Sequence, residues 1–128
     1  MHLLLDTHIF LWFIAGDKKL RDPVRALLDD DENEALLSIA SLWEIAVKVN
    51  IGKLRLDRPF EELIPEQLSV NEIDRLPIRM EHLATLLKLP LHHRDPFDRL
   101  IIAQALSEGV AVLSDDPEFR KYPVQVIG

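Results

Sequence analysis

His93-Arg94-Asp95-Pro96-Phe97-Asp98-Arg99-Leu100-Ile101-Ile102-Ala103-Gln104-Ala105-Leu106, closed by Gly109 and followed by Val110-Ala111-Val112-Leu113-Ser114-Asp115-Asp116, decides the fold class. Asp95 suits a helix N-cap and Pro96 the first helical position, where the missing N–H costs nothing. From Pro96 to Leu106 apolar residues recur at helical spacing, and Gly109 supplies a C-terminal stop. Val110–Leu113 is then a short apolar run with turn chemistry, Asp-Asp-Pro, at its far end. A helix leading directly into a buried strand is half of a βαβ unit, which implies parallel pairing.

The same alternation extends outward. Leu3–Leu5, Leu36–Ile39, Ile73–Ile78 and Val124–Ile127 read as further buried strands. Helical patterns lie between them at Pro23–Leu28, Leu42–Val49, Phe60–Leu68 and Met80–Leu87. Such alternation predicts an α/β/α sandwich around a four- or five-stranded, mainly parallel sheet. No solenoid repeat or low-complexity stretch interrupts it. The acidic run Asp29–Glu34 reads as an exposed connection, so residues 1–128 are expected to form one domain.

Composition narrows the chemistry. Cysteine is absent, which excludes disulfides and thiolate metal sites and suits a reducing compartment. The first residues have neither a basic region nor a long apolar core, and no run approaches a membrane span, so a cytoplasmic protein without membrane contact is expected. The net charge of −7 argues against nucleic-acid binding through a basic surface. It leaves open a carboxylate site that holds cations.

Acidic residues at four places in the chain carry that possibility. Asp6 follows the first strand, and Asp115 and Asp116 follow the fourth; in open α/β sheets ligands bind beyond the strands' carboxyl ends. As plain structure, Asp6 is a helix cap and Asp115-Asp116 a turn. Asp95 is fully explained as a cap, whereas Asp98, in the first helical turn, is explained only in part by the macrodipole. Glu44 fits a capping box begun by Ser41, with Lys48 four residues on; Trp43, Ile45, Ala46 and Val49 are expected to mark the buried side of that helix. Gathered in one pocket, several carboxylates need a counter-charge, and hard divalent cations such as Mg²⁺ take oxygen ligands. His92-His93-Arg94 could contact phosphates, although an exposed loop is the reading favoured for these residues. Neither a phosphate-cradling glycine loop nor a Gly-x-Ser-x-Gly elbow occurs.

These blocks resemble the PIN-domain family, and within it the VapC-type toxin ribonucleases of type II toxin–antitoxin systems. Leu3-Leu4-Leu5-Asp6-Thr7-His8 is similar to the opening strand and first acid, Ser41–Lys48 to the block around a second acid, Glu44, and His93–Ala105 to the third block with Asp98 as its acid. Leu113-Ser114-Asp115-Asp116 through Phe119 and Tyr122 resembles the last block, with Asp116 as the fourth acid. The likeness spans nearly the whole chain; His8 replaces the family's frequent Asn, and Ser114 its frequent Thr. It implies Mg²⁺- or Mn²⁺-dependent cleavage of RNA, with Asp6, Glu44, Asp98 and Asp116 holding the metal or its waters. Asp95 and Asp115 are candidate auxiliary acids, Arg99 and Lys48 candidates for orienting carboxylates or phosphates, Ser114 a hydroxyl neighbour, and His8 a substrate contact. The resemblance further implies a homodimer and a cognate antitoxin, and the apolar bulk of Leu11-Trp12-Phe13-Ile14 suits an interface as well as a core. The alternatives fare worse. A PIN-like module that binds RNA or protein without cleaving has no need of all four acids. A receiver-type signalling domain wants an acidic pair after the first strand and a Lys after the fifth, and a phosphatase with an Asp-x-Asp nucleophile would need an acid where His8 stands.

Overall fold

The computed structural model describes residues 1–128 as five strands and six α-helices in alternation. In chain order these are β1 (His2–Leu5), α1 (Thr7–Ala15), α2 (Asp22–Asp29), β2 (Glu34–Ser38), α3 (Ile39–Asn50), α4 (Phe60–Val70), β3 (Ile73–Leu76), α5 (Met80–Leu87), α6 (Pro96–Glu108), β4 (Ala111–Leu113) and β5 (Val126–Ile127), with a 3₁₀ helix at Pro117–Lys121 between the last two. The sheet order is β3-β2-β1-β4-β5, and every pairing is parallel.

Successive strand residues face opposite sides of a sheet, and the core divides accordingly. Leu3, Leu5, Ala111 and Leu113 pack on one face with Ile9, Phe10, Val24, Ile45 and Ile64, brought by α1 to α4. Leu4 and Val112 pack on the other with Leu100, Ile101, Ile102 and Phe119. Helices therefore cover both faces of the sheet, the expected three-layer sandwich. A side chain such as Ile101, fully buried, contributes about 2 kcal/mol by leaving water.

Several boundaries differ from the sequence reading, each for a local reason. β2 ends at Ser38 because its side chain caps α3, accepting from Ala40 N at 2.9 Å. α3 thus begins before Ser41, which is buried in the first turn and is not the cap. Its buried face runs through Ala40, Ser41, Glu44 and Ile45, so Trp43 and Ala46 face outward, contrary to expectation. β3 stops at Leu76 ahead of Pro77, which has no N–H to donate to a ladder. The segment after Asp6 is a helix whose Leu11, Trp12, Phe13 and Ile14 are half-buried and pack against the first core.

A polar chain crosses the second layer. Ser38 Oγ donates to Gln104 Oε1 at 2.5 Å, and Gln104 Nε2 donates to Pro77 O at 3.2 Å and lies 3.4 Å from His82 Nδ1. Fully buried His82 also accepts from Arg79 N through Nδ1 and places Nε2 2.7 Å from Glu108. The His82 ring is thus satisfied within the fold.

Candidate metal centre

The sheet order reverses direction at β1, with β2 on one side and β4 on the other. Chains leaving the carboxyl ends of these neighbours part to opposite faces and open a crevice there. Asp6 stands at its floor, 2% exposed, directly after β1. Its Oδ2 accepts from Ser114 Oγ at 2.8 Å, and its backbone N–H donates to Leu113 O at 2.9 Å, so the end of β4 holds it from both sides.

Glu44, also 2% exposed, enters from α3. The Thr7 hydroxyl donates to its Oε1 at 2.7 Å and lies 2.9 Å from Ser41 Oγ, while Lys48 Nζ donates to Oε2 at 2.6 Å. Burial lowers the proton affinity of Lys48, but the hydrogen bond and charge of Glu44 outweigh it, aided by Asp95 and Asp98, and hold its pKa above the ordinary value. Lys48 is thus firmly cationic and bound to an acid of the crevice.

Asp98 arrives on the first turn of α6. Asp95 organises that turn, its Oδ1 accepting from Phe97 N at 2.9 Å and Asp98 N at 3.1 Å. Asp116 follows β4; its Oδ1 caps the 3₁₀ helix by accepting from Glu118 N at 2.9 Å, and its Oδ2 faces His93. His93 Nε2 lies 2.9 Å from Asp98 Oδ2 and 3.4 Å from Asp116 Oδ2. It is misaligned with both and is the one buried side-chain polar atom without a hydrogen-bond partner. Ligating atoms of His93, Asp98 and Asp116 all lie within 4.8 Å of one another.

Like charges close together oppose ionisation. Asp98 is pushed up to about 8, first by burial and then by Asp6, Asp95, Glu44 and Asp116. Asp6 is also raised, by burial above all, although the Ser114 hydrogen bond and His8 pull the other way. Asp98 and Asp116 thus converge with His93 within ligand distance, while Asp6, Asp95 and Glu44 act on Asp98 through their charge. Asp115 is exposed. His8 is also exposed, and its nearest aromatic neighbour is Trp12, at 6.0 Å between ring centroids.

Arg99 does not reach the acids. Its guanidinium donates to Pro90 O at 2.9 Å and lies 3.3 Å from the Tyr122 hydroxyl. That hydroxyl accepts from His92 N and His93 N and donates to Pro90 O. Arg99 and Tyr122 therefore pin the segment that carries His93. His93, expected in an exposed loop, is instead 16% exposed and lies against the acids. Its position immediately before the third acidic block was the available signal.

The donor set, carboxylate oxygens with one adjoining imidazole nitrogen and a single nearby lysine, fits a hard divalent cation. It predicts a pH-dependent stability. Between the ordinary carboxyl value of 3.8 and about 8, folded Asp98 keeps a proton that the unfolded chain releases. Stability then falls as pH rises through this window, because the folded state binds more protons. In EDTA the Tm should drop between pH 5 and pH 8, and Mg²⁺ should raise it more at pH 8, where the proton competes less. Differential scanning fluorimetry reads both effects; a flat profile would show that the acids do not share one field.

The family model of the PIN domain matches residues 3–125. Ribonuclease VapC16 of Mycobacterium tuberculosis is 34% identical over 61 residues, which is 48% of this chain and 42% of that protein. The chain thus aligns with less than half the length of that relative. Among solved structures it superposes on VapBC2 from Rickettsia felis bound to a promoter DNA fragment, with a TM-score of 0.75 and 16% identity over 99% of this chain and 98% of that one. VapBC-1 from nontypeable Haemophilus influenzae gives a TM-score of 0.68 at 19% identity, covering 99% and 97%. At these identities the structural likeness is one of fold.

Proposed function

The chain belongs to the PIN-domain family, and from that premise we propose that it is a divalent-metal-dependent endoribonuclease, the toxin of a toxin–antitoxin pair. One observation carries the reading: acids from four separate stretches of chain meet at one crevice, where burial first and their charges second push Asp98 up to about 8. Such repulsion in an interior is relieved by a proton or by a counter-charge, and a shared cation supplies the second. The ribonuclease name of the Mycobacterium tuberculosis relative and the VapBC names of the structural neighbours support the RNA substrate and the antitoxin.

In this reading Asp6, Glu44, Asp98 and Asp116 hold Mg²⁺ or Mn²⁺. The bound ion would activate water and offset charge on the phosphoryl group in flight. Ser114 fixes the rotamer of Asp6, while Thr7 and Lys48 fix that of Glu44, so neither acid has to reorganise when substrate arrives. Water attacks phosphorus in line, the P–O3′ bond breaks, and the products carry a 5′-phosphate and a 3′-hydroxyl. A homodimer built through half-buried apolar residues of α1 such as Trp12 and Phe13, and an antitoxin that covers the crevice, complete the proposal.

The test is purified protein on a mixed RNA pool. Fragments with 5′-phosphate ends should form with Mg²⁺ or Mn²⁺ and not with EDTA. Equal cleavage in EDTA, or none with either metal, would overturn the reading.

A further inference from the structure

Beside the crevice, between α1 and the end of α3, lies a pocket of about 270 Å³. We propose that it is a second phosphate subsite, holding the RNA backbone phosphate next to the one cleaved; the inference rests on the nuclease reading above. Leu11, Ile45 and Leu54 form an apolar floor, and His8, Lys48 and Lys53 stand at its rim.

The local fold puts the two lysines there together. Gly52 takes φ +78°, a left-handed conformation that side chains resist. The chain then doubles back, so that Lys53 N and Leu54 N both donate to Lys48 O, at 2.8 and 3.1 Å. Ile51 N donates to Val47 O and Gly52 N to Val49 O, so the carbonyls of Val47, Lys48 and Val49 in the last turn of α3 are occupied. An anion is ordinarily disfavoured at a helix C-terminus. Here three of the carbonyls that would repel it are occupied, and lysines crown the turn.

Charge and position complete the argument. Lys48 is committed to Glu44, whereas Lys53, lining the same pocket, is exposed and makes no ion pair. Thr7 and Lys48 touch Glu44 and also line the pocket, so the pocket begins where the crevice ends. An RNA strand with one phosphate over the acids passes its neighbour over Lys53. The metal neutralises only the first of these phosphates; the second needs a cation from the protein, and Lys53 is free to serve. The apolar floor suits the ribose of the same nucleotide. Lysine side chains also rest on apolar surface with no ligand at all, so the salt dependence of binding is the deciding measurement.

The experiment measures binding of a labelled single-stranded RNA to the Asp6→Asn protein, in which the RNA survives, across a salt series with and without Lys53→Ala. Lys53→Ala should weaken binding about three- to tenfold at low salt and reduce the slope of log K against log salt by ~0.7, the value for one phosphate contact on a single strand. Lys53→Arg should restore both. In the cleaving protein, Lys53→Ala should raise KM by a similar factor and leave kcat and the Mg²⁺ dependence unchanged. Unchanged affinity and slope in Lys53→Ala, or an Arg variant as weak as Ala, would overturn the subsite. Failure of the wild-type protein to cleave RNA would instead count against the nuclease reading, because the subsite is judged on binding.

Discussion

Asp6→Asn is expected to lower metal-dependent RNA cleavage by about 10²- to 10³-fold, a loss typical of removing one group that stabilises transition-state charge. It should leave the Tm of the metal-free protein unchanged or higher. The Asn carbonyl can still accept the Ser114 hydrogen bond that Oδ2 accepts at 2.8 Å. What disappears is a buried charge, raised in pKa chiefly by its own desolvation. Groups that serve function at the expense of the fold respond in this way. Single-turnover cleavage, circular dichroism and calorimetric Mg²⁺ titration separate the outcomes. A variant that cleaves at the normal rate would remove Asp6 from the proposed site, and one that unfolds would make it a structural residue.

Asp98→Asn should cost nearly as much, about a hundredfold at saturating metal, while Asp95→Asn should stay within about tenfold of wild type. The two acids are three residues apart and do different work. Asp95 Oδ1 accepts two backbone N–H groups at the start of α6. Asn caps helices as well as Asp does, so the Asn variant keeps the turn, whereas Asp95→Ala would lose about 1 kcal/mol. Asp98 makes no such cap and directs Oδ2 at His93 beside Asp116. Its replacement should also flatten the fall in Tm between pH 5 and pH 8. Equal losses for both variants would mean that Asp95 shares the metal.

The architecture was legible because β1 and β4 are continuous apolar runs and α6 is bounded by an Asp-Pro start and a glycine stop. Both signals are local. The edges were read less well: β3 is only four residues long and exposes Asp74 and Arg75, so its apolar signal is diluted and runs on misleadingly to Ile78. α3 was misread by one turn because Ser38 and Ser41 are equally good caps by type; burial of Ser41 against Thr7 decides between them, and that contact spans 34 residues. For the crevice, spacing and resemblance singled out the acids but not their company. The orientation of Arg99 depends on Pro90 and Tyr122, and the approach of His93 depends on the same pair; neither contact has a periodicity to betray it.

The bond between Ser38 and Gln104 bears on how such sequences can diverge. Ser38 starts the helix that delivers Glu44, and Gln104 lies on the helix that delivers Asp98. The spacing of those two acids is therefore set beneath them, by partners that never face the crevice. Chimaeras joining the first half of this chain to the second half of a relative should inherit both members of that couple from one parent, or gain a matching pair, before the acids can meet in register. Swapping exposed loops carries no such condition.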